Sequence, residues 1–249
     1  MYPTFIRLGE FEVTSFGVLV ALAALVGLWI FHRELVRSGL PASGVDAALV
    51  GVLGGLAGAK IIWAIEFRHE APFFSLLMSR SGLSWFGGLL GGVSTGLWGL
   101  YRRRIPLVSA LAAASPALAI GHAIGRIGCF LVGDDYGRPT HLPWGVAFPK
   151  GLPPTTVPVH PTQLYEAAGL AVVAWLLIKW RHAQVADAIV FGRYLALAGA
   201  LRFLIEFIRI NARVAGPFTL AQVFSVAIMV LGLWFMRQRD NRTRKRAGR

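Results

Sequence analysis

Residues Gly121–Gly137 read GHAIGRIGCFLVGDDYG. An arginine, Arg126, closes a long apolar segment, and two acids, Asp134 and Asp135, follow one loop later among glycines. Most of the surrounding sequence is apolar enough to span a membrane. A charged, glycine-rich stretch at bilayer depth therefore needs a reason, because an arginine near hydrocarbon is costly and usually faces a cavity, a partner or a substrate.

The chain has 249 residues, 55% hydrophobic and 15% charged. Soluble domains carry about 25% charged residues, so this composition indicates an all-α polytopic membrane protein. No polar linker separates two cores, which gives one transmembrane domain over residues 1–236 and a basic cytoplasmic tail over 237–249. The net charge of +13 does not imply nucleic acid, because the basic residues gather between apolar segments and in the tail. That is the pattern of topology signals. The single cysteine excludes an internal disulfide and any multi-cysteine metal site. The N-terminal MYPTFIRLGEFEVTSFG lacks a basic region followed by a small-residue cleavage site, so the first apolar segment is expected to remain as a helix.

A spanning helix needs about 20 mostly apolar residues. Seven stretches qualify, roughly 13–31, 46–65, 83–101, 105–124, 164–180, 186–208 and 217–236, with the longest loop, about 125–163, between the fourth and fifth. That loop is rich in Gly and Pro and is expected to be irregular, since proline removes amide donors and fixes φ. Fourteen Lys and Arg lie on one side (Arg33, Arg37, Arg102–Arg104, Lys179, Arg181 and the tail). Eight lie on the other: Arg7, Arg68, Arg80, Arg126, Arg138, Lys150, Arg209 and Arg213. Lys60, Arg193 and Arg202 fall inside helices. The bias places the N-terminus and the Arg126 loop outside and the C-terminus in the cytoplasm.

Arg202 and Glu206 stand four residues apart on the sixth segment and share one helix face. They read either as a self-compensating ion pair or as an anion site lined by Arg202 and braced by Glu206. Two arginines, Arg126 and Arg202, converging in an outward-facing cavity suit a phosphate, whose oxygens match the guanidinium fork. Gly125 and Gly128 flank Arg126, and Gly133 and Gly137 flank the acids. They read either as helix-packing residues or as backbone that wraps a head group. Gly87–Gly88 and Gly91–Gly92 favour packing. The stretch His160–Glu166, HPTQLYE, reads as a helix start, with Pro161 suited to the first turn and Thr162 to a cap. Cys129 reads as a packed residue or, beside a cation, as a reactive thiol. His122 reads as a packing or hydrogen-bonding residue or as a base. Zinc-like and P-loop patterns are absent from the sequence.

GRIGCFLVGDDYG closely resembles the signature G-R-x-G-N-F-x-N-x-E-x-x-G of the prolipoprotein diacylglyceryl transferases. HPTQLYE resembles the second block of that family, and LRFLIEFIR (Leu201–Arg209) resembles its third. The blocks follow in family order and cover nearly the whole chain. The resemblance implies transfer of a diacylglyceryl group from phosphatidylglycerol to the lipobox cysteine thiol of a prolipoprotein, with release of glycerol phosphate. It implies no metal and no cofactor. The setting would be the bacterial cytoplasmic membrane, with membrane lipids around the enzyme. By position, Arg126 would bind the phosphate, with Gly125, Gly128 and Gly137 shaping the phosphatidylglycerol site. Arg202 would stabilise the leaving phosphate, with Glu206 as its partner. Asp134 stands where the family has Glu and would orient Arg126 or the glycerol head group.

The chain departs from the pattern at several positions. Cys129 and Val132 replace the two signature Asn residues. Phe86 stands where His or Tyr is common, Phe16 where Tyr is frequent, and Ala198 where Tyr is frequent, with Tyr194 one turn earlier. The thiol base is thus left open among His122, Asp134 and the donor phosphate. A member with a different acceptor, or a non-enzymatic transporter or binding protein for anionic lipid, are the alternative readings. The transporter would carry paired broken helices from repeats, which this sequence lacks.

Overall fold

The computed structural model describes residues 4–8, 11–79 and 82–247. Arg80 of the outer basic set and Arg249 of the tail lie outside the described residues, as do the tail side chains from Gln238 onward. The chain is mostly helical. A hairpin of β1 (Thr4–Leu8) and β2 (Phe11–Thr14) leads into α1 (Ser15–Arg37), then α2 (Gly44–Glu66), α3 (Phe73–Met78), α4 (Trp85–Arg102) and α5 (Leu107–Val132). A second hairpin, β3 (Val146–Phe148) with β4 (Thr155–Val159), precedes α6 (Thr162–His182) and α7 (Asp187–Ile205). A short 3-10 turn (Glu206–Ile208) extends α7, and β5 (Arg213–Ala215) pairs with β6 (Phe218–Thr219) before α8 (Leu220–Ala247).

Among the described residues, five helices are long and apolar enough to cross a membrane: Ser15–Arg37, Gly44–Glu66, Leu107–Val132, Asp187–Ile208 and Leu220–Arg237. Helices α4 and α6 are 18 and 21 residues long but less apolar, α4 through its glycines and α6 through Glu166, Lys179 and Arg181. Large apolar side chains such as Leu25, Leu90 and Leu204 are more than 60% exposed on the chain itself. In water such surface would associate; on long apolar helices it is the surface that lipid covers. The chain is a polytopic membrane protein. The all-α expectation is amended by three two-stranded hairpins among the described residues, and α3 is a short helix outside the seven expected segments. The seventh segment begins at Leu220 because residues 213–219 pair as a hairpin around Gly216, which takes φ +59°.

The fourth segment runs eight residues further than the hydropathy pattern suggests. Ile124, Ile127 and Phe130–Leu131 keep the helical apolar spacing through the charged stretch, and no proline intervenes. The helix stops at Gly133, whose φ of +80° is a left-handed terminus that favours glycine. Arg126 and Cys129 are therefore helix residues, not loop residues.

Two compact units divide the chain, one comprising Phe31–Ala110 and the other Met1–Ile30 with Leu111–Arg249. In the first, α2 and α4 meet along glycines. A Cβ on Gly58 would collide with the carbonyl of Gly87, and one on Gly91 with the carbonyl of Gly54. Without a hydrophobic drive between helices in lipid, such close backbone approach supplies the packing attraction. The packing reading of Gly87–Gly88 and Gly91–Gly92 holds. In the second unit, Ala112, Ala119, Val173, Ala174, Leu177, Val190 and Phe191 knit α5, α6 and α7 together. Ala123, Ala167 and Leu170 continue that core toward the charged end of α5, with Leu201 of α7 packed against them.

Candidate anion site

The charged end of α5 is where α6, the end of α7 and the loop after α5 meet. Each contributes because of how its chain is tied. Arg138 donates its backbone N–H to the carbonyl of Ile208 at 2.8 Å, and Gly137 donates to His160 at 2.9 Å. Thr162 Oγ1 donates to the carbonyl of Asp135 at 2.8 Å, and Gln163 Nε2 donates to that of Asp134. Thr162 thus anchors the acidic loop; it does not cap α6, whose first turn lacks a side-chain cap. A small aromatic core holds the loop from the other side. Tyr136 stacks on Phe148 at 5.4 Å, Phe130 meets Phe148 edge-on at 5.7 Å, and Tyr136 Oη donates to the carbonyl of Pro153 at 2.6 Å.

Three arginines and three carboxylates interlock here. Arg126 Nε lies 3.0 Å from Glu166 Oε2, and its Nη1 donates to Asp135 Oδ2 at 2.8 Å. Asp135 Oδ1 is paired with Arg209 Nη2. Arg202 Nη1 lies 2.8 Å from Glu206 Oε2, and Asn211 Nδ2 donates to Glu206 Oε1 at 2.6 Å. His122 Nε2 is 3.6 Å from Glu166 Oε1. Arg202 is within electrostatic reach of Arg209, Glu166 and Arg126, so these pairs form one field. Glu166, Glu206 and Arg209 are buried, while Arg126 and Arg202 keep some exposed surface.

The expected partnership of Arg202 with Glu206 is present. Arg126 is oriented by Glu166 and Asp135 rather than by Asp134. The Asp134 carboxyl instead bonds Cys129. Burial, with Asp135 adding to it, raises the Asp134 carboxyl above the usual carboxylate range against the pull of Cys129, Arg126 and Arg209. Burial would raise Asp135 too, but Arg209 and Arg126 outweigh it and hold that carboxyl below the usual range. Cys129 Sγ has Arg126 Nη1 at 3.9 Å, yet its sulfur and the Asp134 and Asp135 carboxylates all lie within 4.8 Å of one another. A thiolate there would face two carboxylates as well as a cation.

The glycines separate by environment. Gly128 packs on Phe16 and Leu19 of α1, with a hypothetical Cβ 3.2 Å from the Phe16 ring. Gly125 faces open space on the helix that carries Arg126. Gly137 is wedged against Ile208, Thr162 and His160. Tyr194 packs beside Phe191 in the α5–α6–α7 core.

Glu166, Asp135, Arg209 and Asn211 join the site without having been expected there from the sequence. Glu166 carried a usable signal. Glu166, Leu170, Val173, Ala174 and Leu177 recur at helical spacing, and all are buried. An acid in register with a buried apolar stripe must have a partner, and Arg126 and His122 are the basic side chains it meets.

The chain matches the model of the prolipoprotein diacylglyceryl transferase family over residues 3–238. It is 33% identical to the phosphatidylglycerol–prolipoprotein diacylglyceryl transferase of Geobacter sulfurreducens, over 93% of this chain and 92% of that protein. The proteins of the same name from Vibrio parahaemolyticus and Vibrio vulnificus are 28% and 29% identical, over 94% of this chain and 89% and 90% of theirs. With a matching family model over almost its whole length and the family's three sequence blocks folded into one charged cluster, the chain belongs to the prolipoprotein diacylglyceryl transferase family.

Proposed function

We propose that this protein transfers the diacylglyceryl group of phosphatidylglycerol to the lipobox cysteine thiol of prolipoproteins and releases glycerol phosphate. The observation that carries the reading is the convergence of Arg126 and Arg202 in one field, each braced by a buried carboxylate. In the reaction the cysteine sulfur attacks the glycerol carbon. A carbon–sulfur bond forms, the carbon–oxygen bond to phosphate breaks, and its electron pair leaves with glycerol phosphate. The thiol proton passes to a base, for which His122, Asp134 and the donor phosphate are the candidates. Negative charge grows on the departing phosphate, and fixed guanidinium groups in a water-poor site stabilise that charge without reorganising. Arg126 binds the phosphate, Arg202 stabilises it as it leaves, and Glu206 holds Arg202 in place. Gly125 leaves room for the head group beside Arg126, while Gly128 and Gly137 let α1 and the end of α7 pack closely around the site.

The reading places the protein in the bacterial inner membrane, with α4 and α6 completing seven spans. The N-terminus and the charged cluster face outward and the C-terminus inward, as the Lys and Arg bias indicates. There both the lipid donor and the membrane-anchored precursor reach the site from the outer leaflet.

The test is a mass-shift assay. Purified protein is reconstituted with phosphatidylglycerol and a lipobox peptide, and the diacylglyceryl thioether is sought by mass spectrometry. Wild type forms the product. Arg126→Ala and Arg202→Ala lower kcat/KM by at least about a hundredfold, the usual scale for losing one preorganised charge donor. Full activity in both folded variants would overturn the assigned roles.

A further inference from the structure

Among the acids of this cluster, Asp135 differs in kind. Glu166 and Glu206 project from the helical run of α6 and the end of α7, and their side chains are at most 2% exposed. They cannot leave their arginines without leaving bare charges in the protein interior. Asp135 sits on the loop after α5, its side chain is 43% exposed, and its backbone takes φ +61°. That left-handed conformation is tolerated by Asp and Asn more than by other side chains. Its two carboxylate oxygens are divided between two elements: Oδ2 accepts from Arg126 of α5, and Oδ1 pairs with Arg209 beyond the end of α7. A single carboxylate thus spans two guanidinium groups with one negative charge and two oxygens. The phosphodiester of a glycerophospholipid offers the same things, one negative charge and two non-bridging oxygens.

We propose that Asp135 is a placeholder counter-ion: its carboxylate occupies the seat between Arg126 and Arg209 when the site is empty and yields both guanidinium groups to the phosphate of the lipid donor. The idea rests on the functional reading above and assigns Arg209 to the phosphate seat beside Arg126. Three buried or half-buried arginines need counter-charge while the site waits for substrate. Fixed acids on all of them would leave no free charge for an anion. An acid whose backbone is anchored but whose side chain reaches solvent keeps Arg126 and Arg209 aligned and can rotate away for an anion of the same shape. The seat is consequently selective for an anion with two equivalent oxygens, and binding competes with an internal carboxylate.

The test compares wild type with Asp135→Asn and Asp135→Glu in the full-length protein in nanodiscs. Asn retains the shape and tolerates the left-handed backbone, so it removes charge alone. Loss of the competing anion is expected to lower the KM for phosphatidylglycerol in Asp135→Asn by about fivefold, the scale of a partly exposed ion pair. Calorimetric titration with glycerol phosphate should show affinity raised by a similar factor. Asp135→Glu, which restores the charge, should return both toward wild type. In thermal unfolding, Asp135→Asn should be less stable than wild type without ligand, and the gap should narrow as glycerol phosphate is added. A raised KM, or weaker binding of glycerol phosphate in Asp135→Asn, would mean that Asp135 only positions the arginines, and would overturn the proposal. So would unchanged values. If wild type forms no thioether, the functional reading fails, while the glycerol phosphate titration still decides the role of Asp135.

Discussion

Glu166 Oε2 stands 3.0 Å from Nε of Arg126, an acid of α6 against an arginine of α5, with the acid almost wholly buried. The same carboxylate faces His122 through its other oxygen. Removing one member of a buried ion pair costs about 3–5 kcal/mol because the other charge is stranded, whereas an exposed pair is worth about 1 kcal/mol or less. The setting here is the buried one. Glu166→Ala is therefore expected to lower thermal stability and to abolish transfer together. Glu166→Gln keeps the shape and a hydrogen-bonding oxygen, so it should fold more stably than the alanine variant while still losing at least tenfold in kcat/KM. Differential scanning fluorimetry beside the mass-shift assay separates the two. A folded Glu166→Gln protein with full activity would show that Arg126 does not depend on this carboxylate.

Asn211 offers a subtler probe of the second pair. It donates to Glu206 Oε1 at 2.6 Å while Arg202 holds Oε2 at 2.8 Å. Asn211→Ala leaves the Arg202–Glu206 contact in place but frees one buried carboxylate oxygen. An unsatisfied buried acceptor costs about 1–3 kcal/mol. The expected outcome is a roughly tenfold fall in kcat with KM for phosphatidylglycerol changed less, since Arg202 is assigned to the leaving group rather than to donor binding. Steady-state kinetics over a range of donor concentrations would show the split, and a change confined to KM would contradict it.

The helices and the central charges were legible in sequence for a physical reason. Apolar runs of spanning length announce themselves, and Arg126, Arg202 and Glu206 are conspicuous because charge is rare in such runs. Positions without that contrast were harder to read. The end of α5 is hard to place from hydropathy because glycines and an arginine lower it locally, although Ile124, Ile127 and Phe130 keep the helical spacing. The family pattern points Asp134 at Arg126 or at the glycerol head group. In the fold the left-handed turn at Asp135 aims the second acid, not the first, at the guanidinium. Backbone conformation after Gly133 decides that choice, and residue order alone does not express it. The hairpins escaped because strands of two to five residues carry too little alternation to stand out in apolar and proline-rich sequence.

Asp134 and Asp135 are adjacent but titrate in opposite directions, which gives a pH test. The raised Asp134 carboxyl favours the protonated form in the folded protein. Its contribution to stability is present below the ordinary value near 3.8 and is lost as pH rises through the folded value. At neutral pH an ionised Asp134 is a net cost, and Asp134→Asn removes it. The Asn variant should unfold at a higher temperature than wild type at pH 7, with the difference closing as pH falls toward 4. Asp135 behaves in the reverse sense, stabilising above about 3.8 and losing that effect below it. If Asp134 takes the thiol proton, the stabler Asn variant should also lose the acid limb of its kcat/KM profile along with most of its rate. Retention of the full profile would leave His122 and the donor phosphate as the bases to test.

Gly125 and Gly137 separate a substrate-facing glycine from a structural one. A Cβ on Gly137 would lie 2.6 Å from the carbonyl oxygen of Ile208 and 2.8 Å from Thr162 Cγ2. The adjacent Arg138 N–H to Ile208 hydrogen bond ties the acidic loop to the end of α7. Gly137→Ala must push these elements apart, and overpacking of this kind costs about 1–3 kcal/mol. It should lower thermal stability and reduce kcat/KM together. Around Gly125, by contrast, the space that a Cβ would enter is open to 4 Å. An alanine there strains nothing and, in a helix interior, is favoured over glycine by up to about 1 kcal/mol. Gly125→Ala is expected to keep or raise the unfolding temperature while increasing the KM for phosphatidylglycerol, because the added methyl enters the space next to Arg126. Unfolding curves and donor titrations on the two variants measure both axes. An unchanged KM in Gly125→Ala would remove Gly125 from the lipid site, and a stable, fully active Gly137→Ala would show that the loop can shift without cost.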